Sequence, residues 1–401
     1  MNRSIVRRAL IIAPATALAL ALTTGIASAQ ATGTFGWRTV KTVSVLAQTA
    51  LFGVTTSGPA HAWAVGPAIS SDGNTSLPVV ESWDGSAWSQ VSLPASVVSA
   101  LGQSGSFLDS TAALGPTNVW AFSLFGRWLH GNGATWTAGK LAGGQALVQA
   151  SLATGKSTVW AFGGRPTSSG IAPFAGFHAG ALGWKRTSVP GTGAIAAASA
   201  VSSTDIWAVL GTGAIGIGGR AGGLVHRFGG VWHKVVSLPA SLRNASLGAV
   251  LARSDKNVWV GGAVKNGKMG TTEAIGHWNG HRWKVFRLRV AASAARYRVV
   301  SMVTDGAGGI WALGLCIGTT SQQGAAVVPD LGGKCTGGFA SRLWHETAGQ
   351  WSLPVLPKLA TRAHALLSLA AAGKSTWGVG LVRAGTTGLD GLIALRGPIP
   401  N

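Results

Sequence analysis

Three features predict an all-β fold, a seven-bladed β-propeller with four antiparallel strands per blade. A Trp-Ala-Val-like motif recurs seven times, about every 50 residues. Strand-forming runs with Gly-rich turns surround each copy. An unpartnered strand at one end of the chain also matches a strand missing at the other.

The motif tryptophans are Trp63, Trp120, Trp160, Trp207, Trp259, Trp311 and Trp377. Each follows a turn and is followed by small or branched residues, as in His61-Ala62-Trp63-Ala64-Val65-Gly66 and Asp205-Ile206-Trp207-Ala208-Val209. One unit reads clearly. Ala194 to Val201 is a small-residue strand, placed innermost where space near an axis is scarce, and Ile206 to Leu210 is the second strand. Leu224 to Phe228 is the third, Gly229-Gly230 a tight turn, and Trp232 to Val236 the fourth, ended by Leu238-Pro239. The hairpin between strands three and four recurs as Trp83-Asp84-Gly85-Ser86-Ala87-Trp88 and Trp278-Asn279-Gly280-His281-Arg282-Trp283. Asp-Gly and Asn-Gly suit turns that need positive φ. Tryptophans repeated in this way serve inter-blade packing, each burying on the order of 200 Å².

The ends argue for closure. After Trp377 only one further strand follows, at Leu392 to Leu395, while Gly36-Trp37-Arg38-Thr39-Val40 reads as a fourth strand without preceding partners. Pairing the two completes the last blade and leaves no open edge. The expected organisation is a signal peptide over 1–29 and one propeller over 30–401. Arg3, Arg7 and Arg8 precede an apolar run from Ala9 to Leu22, and Ala27-Ser28-Ala29 offers a cleavage site. That run is shorter than a membrane span and carries Pro14. The chain is therefore expected to be secreted or associated with the cell wall, monomeric, and without a transmembrane segment after cleavage. The two cysteines, Cys316 and Cys335, are expected to form a disulfide in that compartment.

The pattern of Val or Ile, then Trp-Ala-Val-Gly, then Trp-Asn-Gly and Trp resembles the secreted seven-bladed propellers common in high-GC Gram-positive bacteria. It is similar to the kelch and galactose-oxidase central domains. Thr304-Asp305-Gly306-Ala307-Gly308-Gly309-Ile310-Trp311 also resembles one blade of the streptogramin-lyase-like propellers. These resemblances imply a fold and leave chemistry open.

Enzymatic readings meet missing parts. Galactose-oxidase copper chemistry needs tyrosines, whereas Tyr297 is the sole tyrosine. Sialidase Asp-box repeats, a Gly-x-Ser-x-Gly elbow and a phosphate loop are absent from the sequence. Glycoside hydrolysis needs two facing carboxylates, but most acidic residues fall in turns, as do Asp84, Asp205, Asp255 and Asp305. A lyase would have to draw on Glu273, Glu346, His345 and His364. His277 and His281 lie across a hairpin, so no metal site is expected, and no cofactor.

Charge supplies the functional lead. Lys and Arg number 32 against 11 Asp and Glu, a net charge of +21, which favours polyanions or anionic surfaces. The repeat register places the excess on the face of blades five to seven, with Arg243, Lys268, Arg289, Arg296, Arg298, Lys334, Arg362 and Arg383 as candidate ligand-binding residues. The expected function is an exported, non-enzymatic interaction module that docks an anionic glycan, a teichoic-acid-like polymer or another envelope protein. Intracellular nucleic acid does not fit the compartment. The alternative is a lyase or carbohydrate-active enzyme with its site at the central mouth. Carboxylates or a His/Glu cluster converging on the axis would favour the enzyme, and an axis of Ala, Ser and Gly would favour binding.

Overall fold

The computed structural model describes residues 36–142, 146–180, 183–211, 221–235, 237–265, 271–288, 297–317, 339–354, 364–385 and 388–399. Strands form where branched and aromatic residues run between Gly, Asn and Asp turns.

The chain opens with β1 (Trp37–Val43) and β2 (Gln48–Thr49), then β3 (Gly53–Gly58), β4 (His61–Ile69), β5 (Ser76–Trp83) and β6 (Trp88–Gln90). Helix α1 (Ala95–Gly105) leads to β7 (Leu108–Ala113), β8 (Val119–Ser123), β9 (Arg127–Gly131) and β10 (Trp136–Lys140). Next come β11 (Leu147–Thr154), β12 (Thr158–Thr167), β13 (Gly170–Ala179) and β14 (Trp184–Thr187). The predicted unit around Trp207 is found as β15 (Ala194–Ala200), β16 (Ile206–Gly211), β17 (Ala221–Phe228) and β18 (Val231–Lys234). A single-turn α2 (Ala240–Arg243) precedes β19 (Ser246–Ser254), β20 (Asn257–Lys265), β21 (Thr271–Trp278) and β22 (Trp283–Arg287). The chain finishes with β23 (Tyr297–Thr304), β24 (Ile310–Ile317), β25 (Phe339–Thr347), β26 (Gln350–Ser352), β27 (His364–Ala372), β28 (Ser375–Ala384) and β29 (Gly388–Arg396).

Strands β7 to β26 make five separate four-stranded antiparallel sheets. The strands from both ends of the chain share a nine-stranded sheet. There β1 pairs antiparallel with β29, from Trp37 opposite Arg396 to Val43 opposite Gly391. The short β2 bridges β29 and β4, a link the repeat pattern does not reveal. Strands β3, β7, β11, β15, β19, β23 and β27 each pack on the next, and β27 packs on β3.

Each motif tryptophan lies in a cluster that joins two successive sheets. Trp160 packs with Ile195 and Trp232, Trp207 with Leu247 and Val250, and Trp259 with Val299 and Trp344. The framework role expected for these rings is their observed role.

Strand β1 is held from both sides. The Trp37 ring meets Trp311 edge-on at 5.7 Å between centroids. The Lys41 ammonium donates to Glu81 Oε2 at 2.6 Å and to the Trp88 carbonyl at 3.0 Å. Helix α1 is absent from the repeat reading. Pro94 begins it, and Val97 and Leu101 bury against Val65 and Leu129. The 3–4 hairpins that begin at Asp84, Asn132 and Asn279 are four-residue Asx turns. Asp84 Oδ1 accepts from the Ser86 and Ala87 amides at 2.8 and 2.9 Å, and Gly85 has φ 96°.

Candidate functional site

A repeated irregularity builds the site. In β7, β11, β15, β19, β23 and β27 the register to the following strand slips near the start of the strand, and in β19 it slips again near the end. The extra residues are Asp109, Gln149, Ala196, Gly248, Val300 and Leu367. A bulge leaves its extra residue outside the ladder and re-aims its side chain. All six line one cavity of about 740 Å³, together with Phe52 at the head of β3.

The motif glycine belongs to the same device. A Cβ added at Gly163 would overlap the Leu147 carbonyl oxygen, and one at Gly380 the Ala365 carbonyl oxygen. Glycine three residues after the tryptophan therefore lets the bulged strand come close.

The wall is mainly small and apolar, with Ala196, Ala197, Ala198, Ala249, Val250 and Val303 among its residues. Phe125, 48% exposed, also lines the cavity, with its ring edge-on to Phe107 at 6.3 Å. Among the described residues, two that line it are ionisable, Asp109 and Arg298. Burial pushes the Asp109 carboxyl up to about 7, and no partner for it stands among the described residues. Burial also pushes the Arg298 guanidinium down to about 10, so it remains a cation at neutral pH. Arg298 lies over Gly248, where a Cβ would stand 3.1 Å from Nε, and Nη1 donates to Ser246 Oγ at 3.4 Å.

The predicted basic residues fall in different places. Arg298 lines the cavity. Arg243 is exposed at the end of α2, where Nε donates to the Leu238 carbonyl at 3.2 Å. Arg383 sits on β28 opposite Leu389. Lys268, Arg289, Arg296, Lys334 and Arg362 lie outside the described residues, as does Cys335, while Cys316 is buried on β24. Among the described members of the set, the structure brings none together at one point.

Asp109 and Gln149 are the residues that the sequence reading passed over. A signal existed. Phe52, Asp109, Gln149, Ala196, Gly248 and Val300 all stand eleven positions before a motif tryptophan, and the two polar side chains stand out in that column.

The residues considered for a lyase occupy other surroundings. His345 stacks on Trp311 at 4.0 Å, and its Nε2 hydrogen-bonds Asp305 at 2.8 Å. Glu346 accepts from the Gly349 amide at 2.6 Å in a turn, and Glu273 accepts from the Tyr297 amide at 3.2 Å. None of these, nor His364, lines the cavity. The His345 arrangement repeats. His130, His226 and His277 stack on Trp120, Trp207 and Trp259 at 4.0, 3.8 and 3.9 Å and bond Asn118, Asp205 and Asn257. These histidines brace the turns before four of the seven motif tryptophans. Among the described residues, no group of three or more His, Cys, Asp or Glu could hold a metal ion.

No family model matches the sequence, and no curated protein matches it. Solved structures do resemble it in shape. A structure of U3-55K superposes with a TM-score of 0.54 at 10% identity, covering 90% of this chain and 98% of that one. A structure of YCF48 bound to D1 peptide gives 0.53 at 12%, covering 90% and 96%. The fold is a β-propeller. The propeller of the Trilobed protease from Pyrococcus furiosus gives 0.48 at 8%, covering 87% and 94%. At such identities these likenesses speak to the propeller's architecture alone.

Proposed function

We propose that the chain is an exported, non-enzymatic interaction module, a seven-bladed ring that docks an anionic envelope or extracellular polymer on a basic loop face. The observation that carries the interaction reading is the central cavity. Its wall is mostly Ala, Val, Ser and Leu side chains, supplied chiefly by β3, β7, β11, β15, β19, β23 and β27, the lining of a binding site. A β-propeller of nearly equal extent, YCF48, is known with a D1 peptide bound, in keeping with such a role. The seven-blade count and closure rest on the cyclic packing of the inner strands and on the β1–β29 pairing. The anionic ligand rests on the net charge of +21. Export rests on the first 29 residues, and a Cys316–Cys335 disulfide on that compartment.

The test is retention of the mature protein on immobilised heparin and on teichoic acid at rising salt. Retention should fall steeply with ionic strength, and reversing Arg289, Arg296 and Arg362 to Glu should abolish it. Retention indifferent to salt or to those reversals would overturn the polymer reading.

A further inference from the structure

Asp109 and Arg298 place a carboxyl and a guanidinium in the wall of one cavity. Burial raises the carboxyl and lowers the guanidinium. The carboxyl stands on β7 and the guanidinium on β23. Gln149, the extra residue of the neighbouring β11, adds an amide on the Asp109 side. The remaining bulge level is apolar, with Phe52, Val300 and Leu367 half-buried along it. The guanidinium has five N–H donors in a fixed fork suited to carboxylate, and the Asp109 carboxylate suits an ammonium.

We propose that the cavity binds a zwitterion, with its ammonium at Asp109 and Gln149, its carboxylate at Arg298, and its apolar chain along Phe52, Val300 and Leu367. The ligand class is an ω-amino acid, or a group of the same chemistry such as a lysine at a peptide's C-terminus. This rests on reading the cavity as a binding site and goes beyond the polymer reading, which concerns the loop face. Gly248 takes part by lacking a side chain. Any Cβ there would press on the Arg298 guanidinium and on the Val299 carbonyl.

A pH dependence follows. Among the described residues, Asp109 and Arg298 are the ionisable ones of the wall. Of the strands packed on β7, β3, β8 and β11 carry no titratable side chain, and β4 carries His61 at its far end. Asp109 must ionise to hold an ammonium, so affinity should rise about tenfold from pH 6 to pH 8 as its carboxyl titrates near 7. An alkyl ammonium stays charged throughout that range.

Calorimetric titration of the mature protein with ω-amino acids of four to eight carbons tests this, with hexanoate and hexylamine as controls. One chain length should bind best, and each control should bind at least tenfold more weakly than 6-aminohexanoate. Asp109→Asn should weaken 6-aminohexanoate at least tenfold, leave hexanoate unchanged and remove the pH dependence. Arg298→Gln should reduce 6-aminohexanoate to the affinity of hexylamine. If that variant fails to fold, the control ligands and Asp109→Asn still decide. No binding by any chain length, binding by the controls as tight as by the zwitterion, or an unchanged Asp109→Asn would each overturn the proposal. Heparin retention of Asp109→Asn should match the wild type, so failure of the cavity reading and failure of the polymer reading are separately visible.

Discussion

Replacing Lys41 by Met should destabilise the fold by about 3 kcal/mol, because it strands a carboxylate where water cannot reach. Glu81 is fully buried on β5, and its Oε1 has no partner among the described residues. Its compensation is the Lys41 ammonium, 2.6 Å from Oε2, reaching across from β1. Breaking a fully buried pair by removing one partner costs about 3–5 kcal/mol. The Lys41 side chain keeps 28% of its exposure, which places the loss near the lower end. Urea unfolding followed by tryptophan fluorescence gives the number, since 18 tryptophans report on the packing between sheets. The companion variant removes both charges. Lys41→Met with Glu81→Met replaces the pair by apolar side chains and should recover at least about 1.5 kcal/mol of the summed single losses. A Lys41→Met loss under about 0.5 kcal/mol, or strictly additive singles, would refute the argument that this contact ties β1 to the neighbouring strands.

Three further outcomes can be measured. Asp109 is neutral in the fold at pH values where the unfolded chain has it ionised, so its contribution is complete below about pH 4 and lost as pH rises through about 7. Asp109→Asn should therefore gain about 2 kcal/mol at pH 8 and little at pH 4, and equal urea midpoints for variant and wild type at pH 8 would contradict this. Gly163→Ala drives a methyl group into the Leu147 carbonyl and should cost about 2–3 kcal/mol, whereas Gly155→Ala meets no atom within 4 Å and should cost about 1 from its positive φ alone; similar losses would count against the close-approach role. His277→Ala should cost about 1–2 kcal/mol through the lost stack on Trp259 and the lost Asn257 bond, and His277→Phe should restore the larger part. Equal losses for the two would show that stacking contributes little.

Periodicity made much of the architecture legible. The tryptophans repeat because each sheet must bury the same face against the next, so three of the strands around Trp207 fall within a residue or two of their expected ends, while the third begins at Ala221, three residues before its expected start. Pairing of the Trp37 segment with the last strand was readable because a missing strand and a surplus strand call for each other. Helix α1 was not readable, since it lies between repeats, and its apolar Val97 and Leu101 answer a local gap beside Leu129. The site was harder. A bulge has no composition of its own, and its effect on Asp109 arises from ladder geometry that a strand pattern does not encode. The charge reading went to loops, several of them outside the described residues, whereas the described cavity depends on Asp109, Gln149 and Arg298, all within strands.

The bulges also bear on how such a protein can diversify. An extra residue at that point takes no part in the ladder, so its side chain can change without disturbing strand pairing. The present column already runs from Asp109 and Gln149 through Ala196 and Gly248 to Val300 and Leu367. Selection, or an engineer, could thus rewrite the specificity of the chamber one codon per sheet, with the tryptophan framework left as inherited.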